Sequence, residues 1–163
     1  MKRKKIRRRT LSIAGILILM AIIATAVGAE SNPGLSNGQT VYVSVYTHIY
    51  SGLKGRPFDL GATLSIRNTD PKYAITLVSV KFYDTQGKLL KDYLTEPVRL
   101  EELVSTRYVI KEGESGGGSG ANFLVTWKAA QKVNPPIIEA IMIGTKSGQG
   151  ISWVSPGQVI TLH

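Results

Sequence analysis

An alternation of apolar and polar residues runs from Gln39 to the end of the chain and restricts it to a β-rich fold. Apolar residues occupy every second position in residues 41–45, 60–66 and 78–82. Neighbouring side chains in a strand point to opposite faces of the sheet. The pattern therefore predicts strands that bury one face, and Gly87 is placed to take the left-handed conformation of a hairpin turn.

The same part of the chain lacks the spacing of an amphipathic helix. Residues 128–132 could form one turn at most, because Asn134-Pro135-Pro136 would stop it. About eight or nine short strands joined by polar turns predict an all-β fold, an immunoglobulin-like antiparallel β-sandwich preceded by a hydrophobic leader helix. Residues 137–145 are apolar on both faces, which predicts a central strand covered on two sides.

Residues 1–29 have the three-part plan of a secretory signal peptide. Residues 2–9 are basic, residues 11–27 form an apolar run, and Val27-Gly28-Ala29 supplies small residues at its exit. We predict cleavage between Ala29 and Glu30. The alternative is an uncleaved anchor, since 17 residues reach the lower limit for a spanning helix. Both alternatives place the following domain outside the cytoplasm.

We expect three parts along the chain: a signal peptide or N-terminal anchor over residues 1–29, a flexible spacer over 30–38 and the β-sandwich over 39–163. The spacer consists of turn formers without periodicity. The protein would work in the periplasm or outside the cell, either released or tethered by residues 11–27. Membrane contact would come only through an uncleaved leader.

The net charge of +9 belongs mainly to the leader, which holds seven of the 20 Lys and Arg residues. The other 13 stand against 11 Asp and Glu residues, so the rest of the chain has a charge near +2. This near balance argues against a nucleic-acid partner.

The composition predicts no cofactor and no metal. The chain has no cysteine, which excludes disulfides, thiolate metal sites and a cysteine nucleophile. The acidic residues lack the spacing of metal ligands. The aspartates are scattered along the chain, and each lies at an expected turn or strand end: Asp59, Asp70 and Asp84.

One segment resembles a catalytic motif. Gly113-Glu114-Ser115-Gly116-Gly117 fits the G-x-S-x-G elbow of hydrolases, which needs a helix after the turn and a histidine base. Further glycines follow it here, and the two histidines of the chain are His48 and His163. Residues 116–120 could present N–H groups to an anion, yet they lack the Lys-Ser/Thr ending of a phosphate loop. We therefore expect a flexible glycine-rich connection.

The first strand offers a candidate contact face. Tyr42, Tyr46, His48 and Tyr50 lie opposite its valines, with Ser44 between them. An exposed row of tyrosines can stack on sugars or dock on an apolar partner. Alternatively, a second layer or a loop covers the row. With this face we expect a non-enzymatic binding or structural module whose partner is an envelope protein or a glycan.

Glu139 is the residue on which an alternative, enzymatic function would depend. It lies within an otherwise apolar strand, where a carboxylate must find a partner or shift its pKa. We expect an ion pair with Arg67 or Arg107. If a second carboxylate lay near it instead, the chain could be a small hydrolase or glycan-active enzyme. A third hypothesis is pairing with another chain through an edge strand that lacks Lys, Pro or a bulge.

Two groups of residues resemble an uncharacterised family of bacterial exported domains. The residues that resemble the first half of this family are Arg56-Pro57-Phe58, residues 64–70, Tyr83-Asp84 and Gly87-Lys88. The residues that resemble its second half are residues 117–123, Trp127, Pro135-Pro136, Glu139-Ala140 and Met142-Ile143-Gly144. The resemblance covers residues 39–162. It implies a bacterial, exported domain of unknown function, and it supplies no catalytic residues.

Overall fold

The computed structural model describes residues 34–51, 55–114, 116–145 and 150–163. In these ranges the chain forms strands and no helix, and none of them contains a helix able to cross a membrane. The strands are β1 (Ser36–Val45), β2 (His48–Ser51), β3 (Arg56–Asp59), β4 (Gly61–Arg67), β5 (Ile75–Tyr83), β6 (Leu89–Asp92), β7 (Val98–Leu100), β8 (Ser105–Ile110), β9 (Ala121–Val133), β10 (Ile137–Gly144), β11 (Ile151–Pro156) and β12 (Gln158–Leu162). The predicted leader helix and the cleavage site at Ala29 and Glu30 lie outside the described residues.

The strands form two antiparallel sheets and one separate hairpin. The first sheet has the order β12-β1-β9-β5-β6, with β7 also paired to β5. The second sheet has the order β11-β10-β4-β8, and β2 pairs with β3 in the hairpin. The predicted immunoglobulin-like antiparallel β-sandwich is confirmed. The strand number exceeds the prediction because the connections contain very short strands such as β2, β3 and β7.

Side chains from both sheets form one hydrophobic core. For the first sheet, the alternation predicted which side chains enter the core, since β1 and β9 bury every second residue. The largest fully buried side chains include Trp127 and Phe123 of β9, Leu64 and Ile66 of β4 and Met142 of β10. Strand β4 pairs with β10 on one side and with β8 on the other along nearly its whole length.

One irregularity in β5 corrects the predicted pattern. The alternation predicts a single buried face made of Thr76, Val78, Val80 and Phe82. Instead, the pairing of β5 with β9 shifts register between Leu77 and Ser79. This bulge turns Val78 outward, where it is 39% exposed, and buries Leu77.

The domain begins earlier than predicted. Strand β1 starts at Ser36, within the expected spacer, and Ser36 pairs with Val133. The buried Ser36 hydroxyl donates to the carbonyl of Gly38 at 3.0 Å and accepts from its N–H at 3.2 Å. Residues 36–38 therefore belong to the sandwich.

The prediction that residues 137–145 are covered on two sides is wrong for the outer face. Strand β10 is central in the second sheet, between β11 and β4. Its outer face meets solvent, since Ile137 and Ile143 are 49% and 50% exposed. An apolar pattern on both faces does not distinguish a covered strand from one that presents an open apolar face.

Pairing with another chain was expected to need an edge strand without Lys, Pro or a bulge, and the edge strand β12 does not meet this condition. All five of its residues are exposed and none is Lys or Pro. However, its pairing with β1 shifts register between Thr40 and Val41. A bulge of this kind is one of the devices that blunt an edge against another strand.

Candidate binding site

The predicted row of aromatic residues is divided in the structure. Tyr42 lies on the outer face of the first sheet, opposite Leu124 and Gln158. Tyr46 packs edge-on against Trp153 of β11, with ring centroids 5.8 Å apart. The row is divided because β1 ends at Val45, and the chain then continues into the β2–β3 hairpin.

The structure brings together His48 and Tyr50, the other two residues of the row. Their rings meet edge to face with centroids 5.2 Å apart. His48 Nε2 lies 3.4 Å from the Tyr50 hydroxyl, at the long limit of a hydrogen bond. Tyr50 is 64% exposed, so most of its ring is open to contact.

A polar cavity lies beside this pair at the end of the sandwich where β4 begins. Its volume is about 330 Å³, and His48 forms part of its wall. Asp59 stands directly opposite His48 in the β2–β3 pairing, so the two side chains share one face. The lining residues are Thr47, His48, Asp59, Gly113, Glu114, Gly116 and Gly118.

Two threonines hold the glycine-rich wall of the cavity. The Thr47 N–H donates to the carbonyl of Gly118 at 3.0 Å, and the Gly118 N–H donates to the Thr47 hydroxyl at 2.8 Å. The Thr85 N–H and hydroxyl both donate to the carbonyl of Gly117 at 3.0 Å. The Thr85 hydroxyl also accepts from the Gly120 N–H at 3.1 Å. We call these contacts the threonine clamp.

The clamp explains why this segment is rich in glycine. A Cβ at Gly117 would lie 2.5 Å from Thr47 Cγ2 and 2.9 Å from Phe82 Cζ. Gly118 has a φ of 89°, which L side chains rarely adopt. The expectation of a flexible connection is therefore wrong for residues 117–120, because the backbone of Gly117, Gly118 and Gly120 is hydrogen-bonded to two other loops.

The hydrolase elbow is not formed. Strand β9, and not a helix, follows the glycines at Ala121, whereas the elbow requires strand, turn and helix. Ser115 lies outside the described residues. The second histidine, His163, has its Nε2 2.9 Å from the Thr40 hydroxyl of β1.

Glu114 joins the polar cavity to a smaller recess of about 180 Å³. Its Oε2 accepts from the Lys111 N–H at 3.0 Å. In the recess, Lys91 Nζ lies 4.5 Å above the ring of Tyr93. Burial, and then the charge of Glu114, raise the pKa of the Tyr93 hydroxyl above its ordinary value. Glu114 thus adds negative charge to this end of the domain.

Glu139 pairs with arginine, as expected. Its Oε1 lies 3.8 Å from Arg67 Nη2, and its side chain is 25% exposed. The four strands of the second sheet contain no other Asp or Glu. The second carboxylate that the enzyme alternative requires is therefore missing from this sheet.

The other predicted aspartates cap turns. Asp84 accepts from the N–H groups of Gln86 and Lys88, and Asp70 from those of Lys72 and Tyr73. Within the described ranges, His, Asp and Glu side chains form no group suited to a metal ion.

Sequence reasoning missed the cavity because its residues come from distant connections. His48 follows β1, Asp59 ends β3, and Glu114 follows β8. Two local signals lie at this end of the domain: Glu114 stands inside the glycine-rich motif, and His48 belongs to the row of aromatic residues. No local pattern connects Glu114 with Thr47 or Asp59.

The residues that form the clamp also lie in the matched part of a known family. The family described as "Protein of unknown function (DUF3124)" matches residues 38–160. The chain belongs to this family. The resemblance to an uncharacterised domain family, drawn from the sequence, is thereby confirmed, and residues 117–123 of that resemblance include the three glycines of the clamp.

Other comparisons add no activity to the family assignment. No curated protein matches the chain. Among solved structures, the crystal structure of Thermotoga maritima 1070 is similar, with 13% sequence identity and a TM-score of 0.42. The match covers 74% of this chain and 92% of that one. Likeness at this level carries no argument about function.

Proposed function

We propose that this protein is an exported, non-enzymatic binding module of the cell envelope that holds a hydroxylated ligand, such as a sugar unit of an envelope glycan. The observation that carries the proposal is the exposed His48–Tyr50 pair beside the polar cavity. The pair offers a ring surface, and the cavity offers charged and polar groups.

The chemistry of the cavity suits a ligand rich in hydroxyl groups. Carboxylates such as Asp59 and Glu114 accept hydrogen bonds, and an imidazole such as His48 can donate or accept. The exposed face of Tyr50 offers an apolar platform of the kind on which sugar rings stack. A volume of about 330 Å³ falls within the range of small-ligand sites.

The threonine clamp supports binding for a second reason. It holds the backbone of residues 117–120 in one arrangement through five hydrogen bonds of at most 3.1 Å. A wall that is already ordered loses little conformational entropy when a ligand enters.

The N-terminal sequence supports export. Residues 2–9 are basic, residues 11–27 are apolar, and small residues precede Glu30. Cell fractionation followed by mass measurement tests this part of the proposal. A chain that begins at Glu30 or an intact chain in the envelope fraction agrees with export, whereas a chain found only in the cytoplasm contradicts it.

Binding can be tested with soluble fragments of bacterial cell-wall glycan and the protein purified from the envelope fraction. We expect saturable binding by isothermal titration calorimetry. Tyr50→Ala should weaken it about tenfold, the loss expected when a stacking ring is removed. Tyr73→Ala is the matched control, because Tyr73 is also exposed but lies at the other end of the domain.

Two results would contradict the proposal. One is that no fragment shows saturable binding. The other is equal affinity of the Tyr50→Ala and Tyr73→Ala variants, which would show that binding does not involve this end. Mass spectrometry of the fragments after incubation tests the non-enzymatic part, since cleaved products would overturn it.

A further inference from the structure

A second groove lies on the outer face of the second sheet, away from the polar cavity. Its volume is about 320 Å³. Its walls come from β4, β8 and β10, and it shares no lining residue with the cavity at His48. The lining residues are Thr63, Ser65, Arg67, Ser105, Thr106, Arg107 and Ile141.

The register of the sheet places two arginines on the same face of neighbouring strands. Arg67 of β4 stands opposite Ser105 of β8, and Ser65 stands opposite Arg107. Arg67 and Arg107 are therefore diagonal neighbours, a relation that puts side chains about 7–8 Å apart at their base. Long side chains at that separation can reach one common group.

Arg67 is held in position by its own strand and by β10. Its Nε donates to the hydroxyl of the buried Ser65 at 3.1 Å. Its Nη2 lies 3.8 Å from Glu139 Oε1, which is too long for a hydrogen bond but favours the orientation electrostatically. The side chain remains 51% exposed, so one edge of the guanidinium is open to a ligand.

Arg107 has no such partner. It is exposed, and it forms no ion pair with any residue that the structure describes. The four strands of this sheet carry two arginines and one carboxylate, so the face has an excess positive charge. Two guanidinium groups on neighbouring strands repel each other unless an anion lies between them.

We propose that this groove binds a hydroxylated anion, a sugar unit that carries a carboxylate or a phosphate group. Guanidinium groups bind both anions through paired hydrogen bonds. The hydroxyls of Thr63 and Ser105 can bond to hydroxyls of the ligand, and Ile141 gives an apolar surface for the body of the sugar. This site is separate from the proposed site at His48 and does not depend on it.

The test uses three small probes: glucuronate, glucose 6-phosphate and neutral glucose. Two-dimensional NMR titration of the purified protein should show shifts at β4 and β8 with at least one anion and none with glucose. Response to glucuronate alone identifies a carboxylate ligand, and response to glucose 6-phosphate alone identifies a phosphate ligand. Affinity should fall with added salt, because the attraction is electrostatic and the groove is open to solvent.

Variants localise the binding. Arg107→Gln should weaken it about tenfold, the loss expected for one charge-assisted contact. Because the Arg107 side chain is exposed and forms no ion pair among the described residues, this variant should keep its structure. Arg99→Gln is the matched control, since Arg99 is exposed but pairs with Glu101 outside the groove. His48→Ala should leave the anion-induced shifts at β4 and β8 unchanged, because His48 does not line the groove.

Three results would overturn the proposal: shifts with neither anion, equal weakening by Arg99→Gln and Arg107→Gln, or tighter binding of a tetraglutamate peptide than of either anionic sugar. The last result would assign the groove to acidic peptides. If neither anion binds to the groove but cell-wall fragments still bind at His48, this inference is overturned and the proposed function is not.

Discussion

The two ends of β4 use the same kinds of polar residue in different ways. Where β4 ends, Asn68 and Asp70 are buried and their side chains bond to the main chain. Before β4 begins, Asp59 lines a cavity together with His48 and Glu114. The difference teaches that buried polar residues of a β-sandwich can serve the structure alone, whereas those that line an open space are candidates for binding a ligand.

The first of these ends, which we call the Asn68 end, ties several connections together. The Asn68 side chain donates to the carbonyls of Tyr73 and Glu101, each at 2.9 Å. Asp70 Oδ2 accepts from the Asn134 N–H at 3.0 Å, and the Thr69 hydroxyl donates to the Pro135 carbonyl at 2.9 Å. Residues 68–70 of the family resemblance are therefore structural.

The largest expected effect lies at the Asn68 end. Asn68→Ala would leave the Tyr73 and Glu101 carbonyls and the Asp70 N–H without their partner. We expect the free energy of unfolding to fall by about 3 kcal/mol, measured by urea denaturation.

The control for this variant is Asn122→Ala, because the Asn122 side chain is only half-buried and lies on a regular strand. It should change stability by at most about 0.5 kcal/mol. Equal losses in the two variants would show that the Asn68 end is not a structural junction.

The next effect concerns the clamp. Gly117→Ala places a methyl group 2.5 Å from Thr47 Cγ2, so the loop or Thr47 must move. We expect a loss of about 2 kcal/mol in thermal or urea unfolding, as for other overpacked sites. Gly34→Ala is the control, since nothing lies within 4 Å of the added atom.

A double variant sharpens this prediction. Thr47→Ser removes Cγ2 but keeps the hydroxyl that accepts from the Gly118 N–H. Combined with Gly117→Ala, it should recover part of the lost stability. Losses that simply add would contradict the proposed clash.

A third prediction uses pH. The N–H groups of Asn134 and then of Lys72 hold the pKa of Asp70 below its ordinary value of 3.8. A lowered pKa in the folded state stabilises the protein above pH 3.8, and this stabilisation is lost as the pH falls through the folded pKa. Asp70→Asn should therefore lower Tm clearly at neutral pH, and the difference from the wild type should shrink in acid.

Glu96→Gln is the control for the pH series, because Glu96 is an exposed carboxylate that forms no ion pair with any residue the structure describes. Its melting curves should follow those of the wild type across the range. A constant gap between Asp70→Asn and the wild type from neutral to acidic pH would contradict the lowered pKa of Asp70.

The smallest effect on stability is expected for the His48 side chain. His48→Ala removes a side chain that is only half-buried and whose contact with Tyr50 is long. We expect a change of at most about 0.5 kcal/mol in urea unfolding, together with weaker binding of cell-wall fragments. A large loss of stability would make this end structural as well and remove the contrast between the two ends.

The parts of the fold that depend on local alternation could be predicted from the sequence. The buried faces of β1 and β9 follow from a period of two, which any strand must show. The bulge at Val78 could not be predicted, because it is defined by the pairing of β5 with β9. The exposed outer face of β10 was also missed, since its pattern is the same with or without a cover.

The candidate site was predicted in part. The predicted row of aromatic residues includes His48 and Tyr50, which the structure places in contact, but its continuity assumed a straight strand beyond Val45. The Arg67–Glu139 pair was expected because a carboxylate in an apolar strand needs a neighbouring charge. Arg107 was named only as a possible partner of Glu139, and its place beside Arg67 required the register of β4 and β8.

The threonine clamp consists only of hydroxyl and amide groups. Such groups do not gain or lose protons in the range that living cells meet, and salt screens them far less than it screens charges. In the exported location that we propose, the protein would meet the acidity and salinity of its surroundings. A wall joined in this way would keep its shape through such changes, even when the charged side chains beside it respond to them.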